Sequence, residues 1–370
     1  MLILLLELLL LCMTTLLSST HATFVEQTVI FNSDTRKSPW NTNYTCFRVP
    51  TVARTKDKLL VFVESRIGSC SDQAPKDITM RSSEDNGKTW SALNLIVGPK
   101  EHNSHVALDF SARNPYATVL FNGSTLLQWV NSTNPNKCVN FQMISNDNGE
   151  TWSTPIRINL GQWNGTLLGP GTGIVLGQHS ASVESGRIVI CGASGYVGSM
   201  PMSTLVWYSD DNGATYSMGG GAAPFAAMQE CQVVELNNGS VILNMRNSKK
   251  ERAIAISQDG GATWESRWYD QSLPDPTCSA GLINMNGTLY FSNDPTTSKR
   301  ENMTLKRSLD SGKNWETYVQ LTSNPSAYSV MTEINRTHVA VIYETGKNTA
   351  YESVVIAVVE VVAVPQEQER

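Results

Sequence analysis

Short apolar runs, split by two-residue turns, recur along this chain. Ala117–Leu120 and Thr125–Val130 flank Asn122-Gly123; Gln232–Leu236 and Val241–Asn244 flank Asn238-Gly239; Gly281–Met285 and Thr288–Phe291 flank Asn286-Gly287. An apolar run, a turn pair that tolerates positive φ and a second apolar run predict a β-hairpin. Beyond the N-terminal stretch no segment shows an apolar period of 3.6, so the pattern predicts strands rather than helices.

The polar positions carry a second pattern. SEDNGKTW at Ser83–Trp90 returns as SNDNGETW at Ser145–Trp152, SDDNGATY at Ser209–Tyr216, SQDGGATW at Ser257–Trp264 and, worn, SLDSGKNW at Ser308–Trp315. The aspartates Asp85, Asp147, Asp211, Asp259 and Asp310 stand 62, 64, 48 and 51 residues apart. That period marks a repeat architecture built from one supersecondary unit. Here the unit is a small antiparallel sheet, and such sheets packed in a ring make a β-propeller. Five boxes and one box-free segment predict an all-β, six-bladed propeller with Asp-box repeats, closed by the run Tyr351–Val364. Within a box, Asp can accept backbone N–H bonds, Gly takes positive φ and Thr ties the turn back. Trp then buries a ring worth roughly 2–3 kcal/mol. A calcium loop does not fit, because acidic positions are too few and the closing Glu is missing. The boxes are structural, so chemistry must lie in residues that do not repeat.

Composition narrows the setting. The 370 residues carry a net charge of −5, and only 16% are charged. No basic run suggests a nucleic-acid groove. Residues 1–22, MLILLLELLLLCMTTLLSSTHA, read as a secretory signal with a small-residue cleavage site at Thr20-His21-Ala22. The expected domain is 23–370, and no later run reaches the ~18 apolar residues of a membrane span. Cys12 falls in the signal. Cys46, Cys70, Cys138, Cys191, Cys231 and Cys278 fit a secretory route with up to three disulfides. Without a CxxC or Cys/His cluster, structural zinc has no support. Eight sequons, at Asn43, Asn122, Asn131, Asn164, Asn238, Asn286, Asn302 and Asn335, favour a glycosylated product.

The boxes combined with Phe47-Arg48-Val49-Pro50 resemble the exo-α-sialidases, or neuraminidases, over about Phe47 to Val361. GPGTGIV at Gly169–Val175, RIVICG at Arg187–Gly192, ECQVVEL at Glu230–Leu236, LKRS at Leu305–Ser308 and YETGKN at Tyr343–Asn348 look closest to the lysosomal-type animal sialidase. The resemblance implies a six-bladed propeller with its site at the central end of the ring. It implies removal of terminal sialic acid from glycoproteins, gangliosides and oligosaccharides, with retention and no cofactor.

Site residues carry over one by one. The sugar's anomeric carbon bears a carboxylate, which calls for bidentate arginine rather than lysine. Arg48 in FRVP, Arg246 in LNMRN and Arg300 in KRENMTL match the three arginines of the family. A carboxylate nucleophile would be repelled by that anionic centre, so a neutral phenol suits it better. The resemblance implies a Tyr nucleophile, the established exception among glycosidases. Tyr328 in SAYS matches it, and Glu230 in ECQV matches its general base. Asp72 matches the general acid that protonates the leaving oxygen. Asp77 competes for that role, but Asp72 follows a Gly/Ser/Cys-rich loop able to reach over a substrate, whereas Asp77 opens a strand. Glu344 matches a carboxylate that orients the first arginine, and Glu64 is expected to help similarly.

The rival readings are a trans-sialidase, a catalytically silent lectin-like propeller and an Asp-box sorting scaffold. Silent forms should lack Tyr328, Glu230 or Asp72, and a scaffold should lack the arginines. The resemblance further implies an acidic compartment and a carboxypeptidase-type lysosomal partner. The ending Pro-Gln-Glu-Gln-Glu-Arg lacks a Tyr-based sorting tail, so localisation is expected to be lysosomal or secreted.

Overall fold

A computed structural model describes residues 24–38, 42–98, 106–107, 111–132, 138–160, 166–177, 186–194, 203–220, 225–226, 228–265 and 267–361. The signal-like stretch, the Asn164 sequon and the chain's last residues lie outside them. One 3-10 turn, Ser33–Thr35, interrupts the strands; the other elements among the described residues are all β. Six sheets, each with four principal strands, form a six-bladed propeller.

Blade 1 holds Tyr44–Arg54, Leu59–Ile67, Lys76–Ser83 and Asn94–Gly98, and blade 2 holds Ala112–Val119, Thr125–Ser132, Cys138–Ser145 and Ile156–Arg157. In blade 3 the first strand is broken into Leu167–Leu168 and Ile174–Val175, followed by Ile188–Ser194, Ser203–Ser209 and Ser217–Gly219, while Gly171–Thr172 in the break pairs parallel with Ala112–Val119 of blade 2. Blade 4 runs Met228–Glu235, Val241–Asn247, Glu251–Ser257 and Trp268–Pro274; blade 5 runs Gly281–Met285, Thr288–Asn293, Thr304–Ser308 and Glu316–Gln320. Blade 6 takes Ser326–Asn335, His338–Thr345 and Ser353–Glu360 from the end of the chain, and its fourth strand, Phe24–Phe31, from the beginning. The three hairpins expected around Asn-Gly pairs are all present. The run near Tyr351 closes the ring as one strand, antiparallel to Phe24–Phe31.

That closure explains the missing sixth box. Every box lies in the turn between third and fourth strands. In blade 6 those two strands come from opposite ends of the chain, so there is no turn to encode.

The apolar runs are nearly continuous because blade faces are covered on both sides. Leu59–Phe62 is buried at every position, for example. Six apolar clusters fill the six blade–blade interfaces, such as Val61 with Ile342 and Ile356, or Leu60 with Leu127 and Trp129. The boxes join them. In the first, Asp85 accepts from Thr89 N at 2.9 Å and from Thr89 Oγ1 at 2.5 Å, while Gly87 N donates to Ser83 Oγ at 2.8 Å. Trp152 of the blade 2 box packs edge-on against Phe62 of blade 1, 5.8 Å between ring centres. A Cβ on Gly149 of that box would sit 2.7 Å from Leu60 Cδ1.

First strands line the central channel and all run the same way. Their far ends surround a cavity of about 250 Å³ lined by Val52, Ala117, Val233, Leu282 and Met331, which contains none of the expected site residues. Those residues lie at the opposite end, where first strands begin and second strands turn into third strands.

Candidate active site

Tyr328 is the third residue of the first strand of blade 6, and Glu230 is the third residue of the first strand of blade 4. The phenol donates a short hydrogen bond to Glu230 Oε1. Arg246, on the next strand of blade 4, reaches both: Nη1 lies 2.5 Å from Glu230 Oε2 and 2.8 Å from the Tyr328 oxygen. Burial, then the Glu230 charge, pushes the Tyr328 phenol well above its usual value, with Arg246 and Arg48 working against them. The phenol is therefore protonated at rest, with a carboxylate in place to receive its proton.

Arg48 comes from blade 1. Its guanidinium makes a two-point contact with Glu344, Nε to Oε1 at 3.2 Å and Nη2 to Oε2 at 2.9 Å. Glu344 is fully buried and also accepts from Val49 N at 2.7 Å and Tyr328 N at 3.3 Å. One carboxylate thus ties the arginine's strand to the tyrosine's strand. It can do so because Val49 turns at φ +55, an uncommon conformation for a β-branched residue, where the strand register slips between Arg48 and Thr51.

Arg300 sits in the loop between the second and third strands of blade 5. It donates from Nη2 to Thr277 O at 2.8 Å and from Nη1 to the Tyr351 hydroxyl at 3.2 Å. Its Cζ is 5.5 Å from the centre of the Tyr328 ring, and that of Arg48 is 5.1 Å from the same centre. Three arginines from blades 1, 4 and 5 therefore surround one phenol. Arg246 Nε is buried without a partner.

Asp72 lies on the exposed loop after the second strand of blade 1, with 74% of its side chain accessible. Its Oδ1 is 2.8 Å from Arg66 Nη1 and 3.5 Å from Arg48 Nη1. Burial of part of the group favours the neutral form, but the Arg66 charge outweighs it and holds the carboxyl below its ordinary value. Asp77, the competitor, is buried and accepts from Tyr44 OH at 2.6 Å.

Glu64 departs from expectation. It does not bond Arg48; it accepts from Arg66 Nη2 at 2.6 Å and from Asn114 N at 3.0 Å. The Arg48 guanidinium is already filled by Glu344, so Glu64 neutralises Arg66, the group that grips Asp72. The sequence patterns single out neither Arg66 nor Tyr351 for the site. The Tyr351 ring lies 4.1 Å from Arg48 Cζ while its hydroxyl meets Arg300, yet no repeat or spacing flags it. Nor do the patterns single out Cys278, a buried thiol packed with Ala327, Ala350 and Tyr328.

Two disulfides are in place among the described residues: Cys46–Cys70 within blade 1 and Cys191–Cys231 between blades 3 and 4. Taken together, the cluster gathers three guanidinium groups able to bind an anion around an activatable phenol, with one exposed carboxyl beside them.

Residues 57–341 match the BNR repeat-like domain family. The chain is 30% identical to a sialidase of Bacteroides fragilis (strain YCH46) and 27% identical to a sialidase of Micromonospora viridifaciens, in each case over 82% of this chain. It spans 60% and 50% of those two proteins' own lengths. A Hadza microbial sialidase superposes with a TM-score of 0.74 at 25% identity, covering 86% of this chain and 66% of that one.

Proposed function

The chain belongs to the BNR repeat-like domain family, within the sialidase superfamily, and on that premise we propose that it is an exo-α-sialidase. Three guanidinium groups converging on Tyr328 carry the reading. An anionic sugar whose carboxylate meets Arg48, Arg246 and Arg300 would present its anomeric carbon to the phenol.

Glu230 takes the phenolic proton as Tyr328 attacks, and Asp72, which Arg66 holds ionised and which must first take up a proton from solvent, gives that proton to the departing glycan oxygen. Water then attacks the anomeric carbon, giving its proton to Asp72, and as the tyrosyl–sugar bond breaks Glu230 returns its proton to the Tyr328 oxygen. Two displacements retain configuration. Arg246 stabilises the phenolate that develops between Tyr328 and Glu230. Sialylated glycoproteins, gangliosides and oligosaccharides are the proposed substrates. The two disulfides support an oxidising, secretory setting, lysosomal or extracellular.

Tyr328→Phe keeps the ring and removes the nucleophile. It should lower kcat on a fluorogenic sialoside by about 10³-fold or more, with an unchanged melting temperature. A rate within tenfold of the parent would sink the assignment.

A further inference from the structure

We propose that the Cys46–Cys70 disulfide is the positioning element for the acid Asp72, holding the Gly68–Pro75 loop over the arginine cluster. The proposal rests on the sialidase reading for the role of Asp72 and on geometry for the clamp.

Asp72 stands on a loop with little to hold it. Gly68, Ser69, Ser71, Asp72, Gln73 and Pro75 are exposed, and the loop's own backbone bonds are Ile67 N to Pro75 O at its base and Ala74 N to Ser71 O. Its polar anchors are Arg66, which meets Cys70 O and the Asp72 carboxylate, and Lys76, whose Nζ meets Asp72 O at 2.7 Å. Arg66 and Lys76 are buried strand residues of blade 1, so they hold the loop to the blade, but through polar contacts alone.

The disulfide does something different. It joins the loop covalently to the first strand of blade 1, the strand that presents Arg48. Cys46 precedes Arg48 by two residues, and Cys70 precedes Asp72 by two. The Cα atoms of the pair are 5.6 Å apart. The separation between the arginine that grips the substrate and the acid that protonates its leaving group is therefore bridged by a short covalent path. Without that path, Asp72 is held by ion pairs at an exposed carboxylate, to Arg66 at 2.8 Å and to Arg48 at 3.5 Å, and pairs of that kind contribute little. An acid must come within hydrogen-bond reach of the leaving oxygen, and a displacement of about 1 Å can cost 10²-fold.

The test uses Cys46→Ser/Cys70→Ser and two sialosides. Sialyllactose expels lactose through a hydroxyl oxygen that needs the acid; an aryl sialoside expels a stable phenolate that hardly does. Loss of the clamp should lower kcat/KM on sialyllactose by about 10²-fold and on the aryl substrate by less than about fivefold. Equal losses on both would show a disulfide that only stabilises the fold, and would overturn the proposal.

Hydrogen exchange gives a readout that does not need turnover. Amides of 68–74 should exchange at least about tenfold faster in the variant, with the other blades unchanged. Unchanged loop exchange would also overturn the clamp. If the parent enzyme cleaves neither sialoside, the sialidase reading fails, while the exchange result still decides whether the disulfide holds the loop. Should the serine pair not fold, phosphine reduction of the native protein reaches the same state: Cys70 is partly exposed, whereas Cys191 and Cys231 are buried.

Discussion

Tyr351 steadies two of the three arginines with one side chain. Its ring supports Arg48 and its hydroxyl accepts from Arg300, which spreads two positive charges that would otherwise repel. A cation–π contact of this kind contributes about 1–2 kcal/mol, and a hydrogen bond to a charged donor about as much. Tyr351→Ala should raise KM for a sialoside by roughly tenfold or more and change kcat by less than about threefold; Tyr351→Phe, which keeps the ring, should fall between. A drop confined to kcat would contradict a role in holding the clamp. At this scale the sequence was legible where a residue sits in an ordered motif, as Arg48 does in FRVP. It was silent for Tyr351, because both partners reach it from other blades, and misleading for Glu64, whose partner choice depends on which carboxylate reaches Arg48 first.

Box turns are legible because their requirements are local. Asn148 and Gly149 both take positive φ, and Asp147 is satisfied within four residues. What the pattern does not reveal is that the turn also touches the next blade. A control separates the two effects. Gly123 has a similar φ, +87 against +84, but a Cβ there would meet nothing within 4 Å. Alanine at Gly123 should therefore cost only the backbone strain, about 1 kcal/mol, whereas Gly149→Ala adds the collision with Leu60 and should cost about 2–3 kcal/mol. Equal losses in denaturant titration would remove the boxes from the list of inter-blade contacts. The strand Phe24–Phe31 shows the opposite limit. Its pairing partner, Ser353–Glu360, lies at the other end of the chain, and no neighbouring turn announces it.

The ring as a whole buries one carboxyl that its cluster does not neutralise. Asp294 is 1% exposed; Ser326 Oγ donates to its Oδ1 at 2.5 Å, and Oδ2 has no partner. Burial raises its pKa from 3.8 to about 8; the Ser326 bond and Arg300 oppose the shift, and Asp275 and Glu344 add to it. The folded protein thus holds a proton that the unfolded chain releases near pH 4. Its contribution to stability is complete below that value and is lost as pH rises to about 8, a change on the order of a few kcal/mol. Melting temperature measured from pH 4.5 to 8 should fall more steeply for the parent than for Asp294→Asn; parallel curves would exclude the buried acid as the cause. Six blades could be counted from five boxes, but the meeting of distant residues at one end of the ring could not be read without the family motifs. That meeting also has a consequence for synthesis. Arg48 finds Glu344 across 296 residues, so a ribosome must finish nearly the whole chain before the guanidinium has its counter-ion. A half-made chain lacks the completed arginine cluster, and the proposed site cannot assemble until the last blade has emerged.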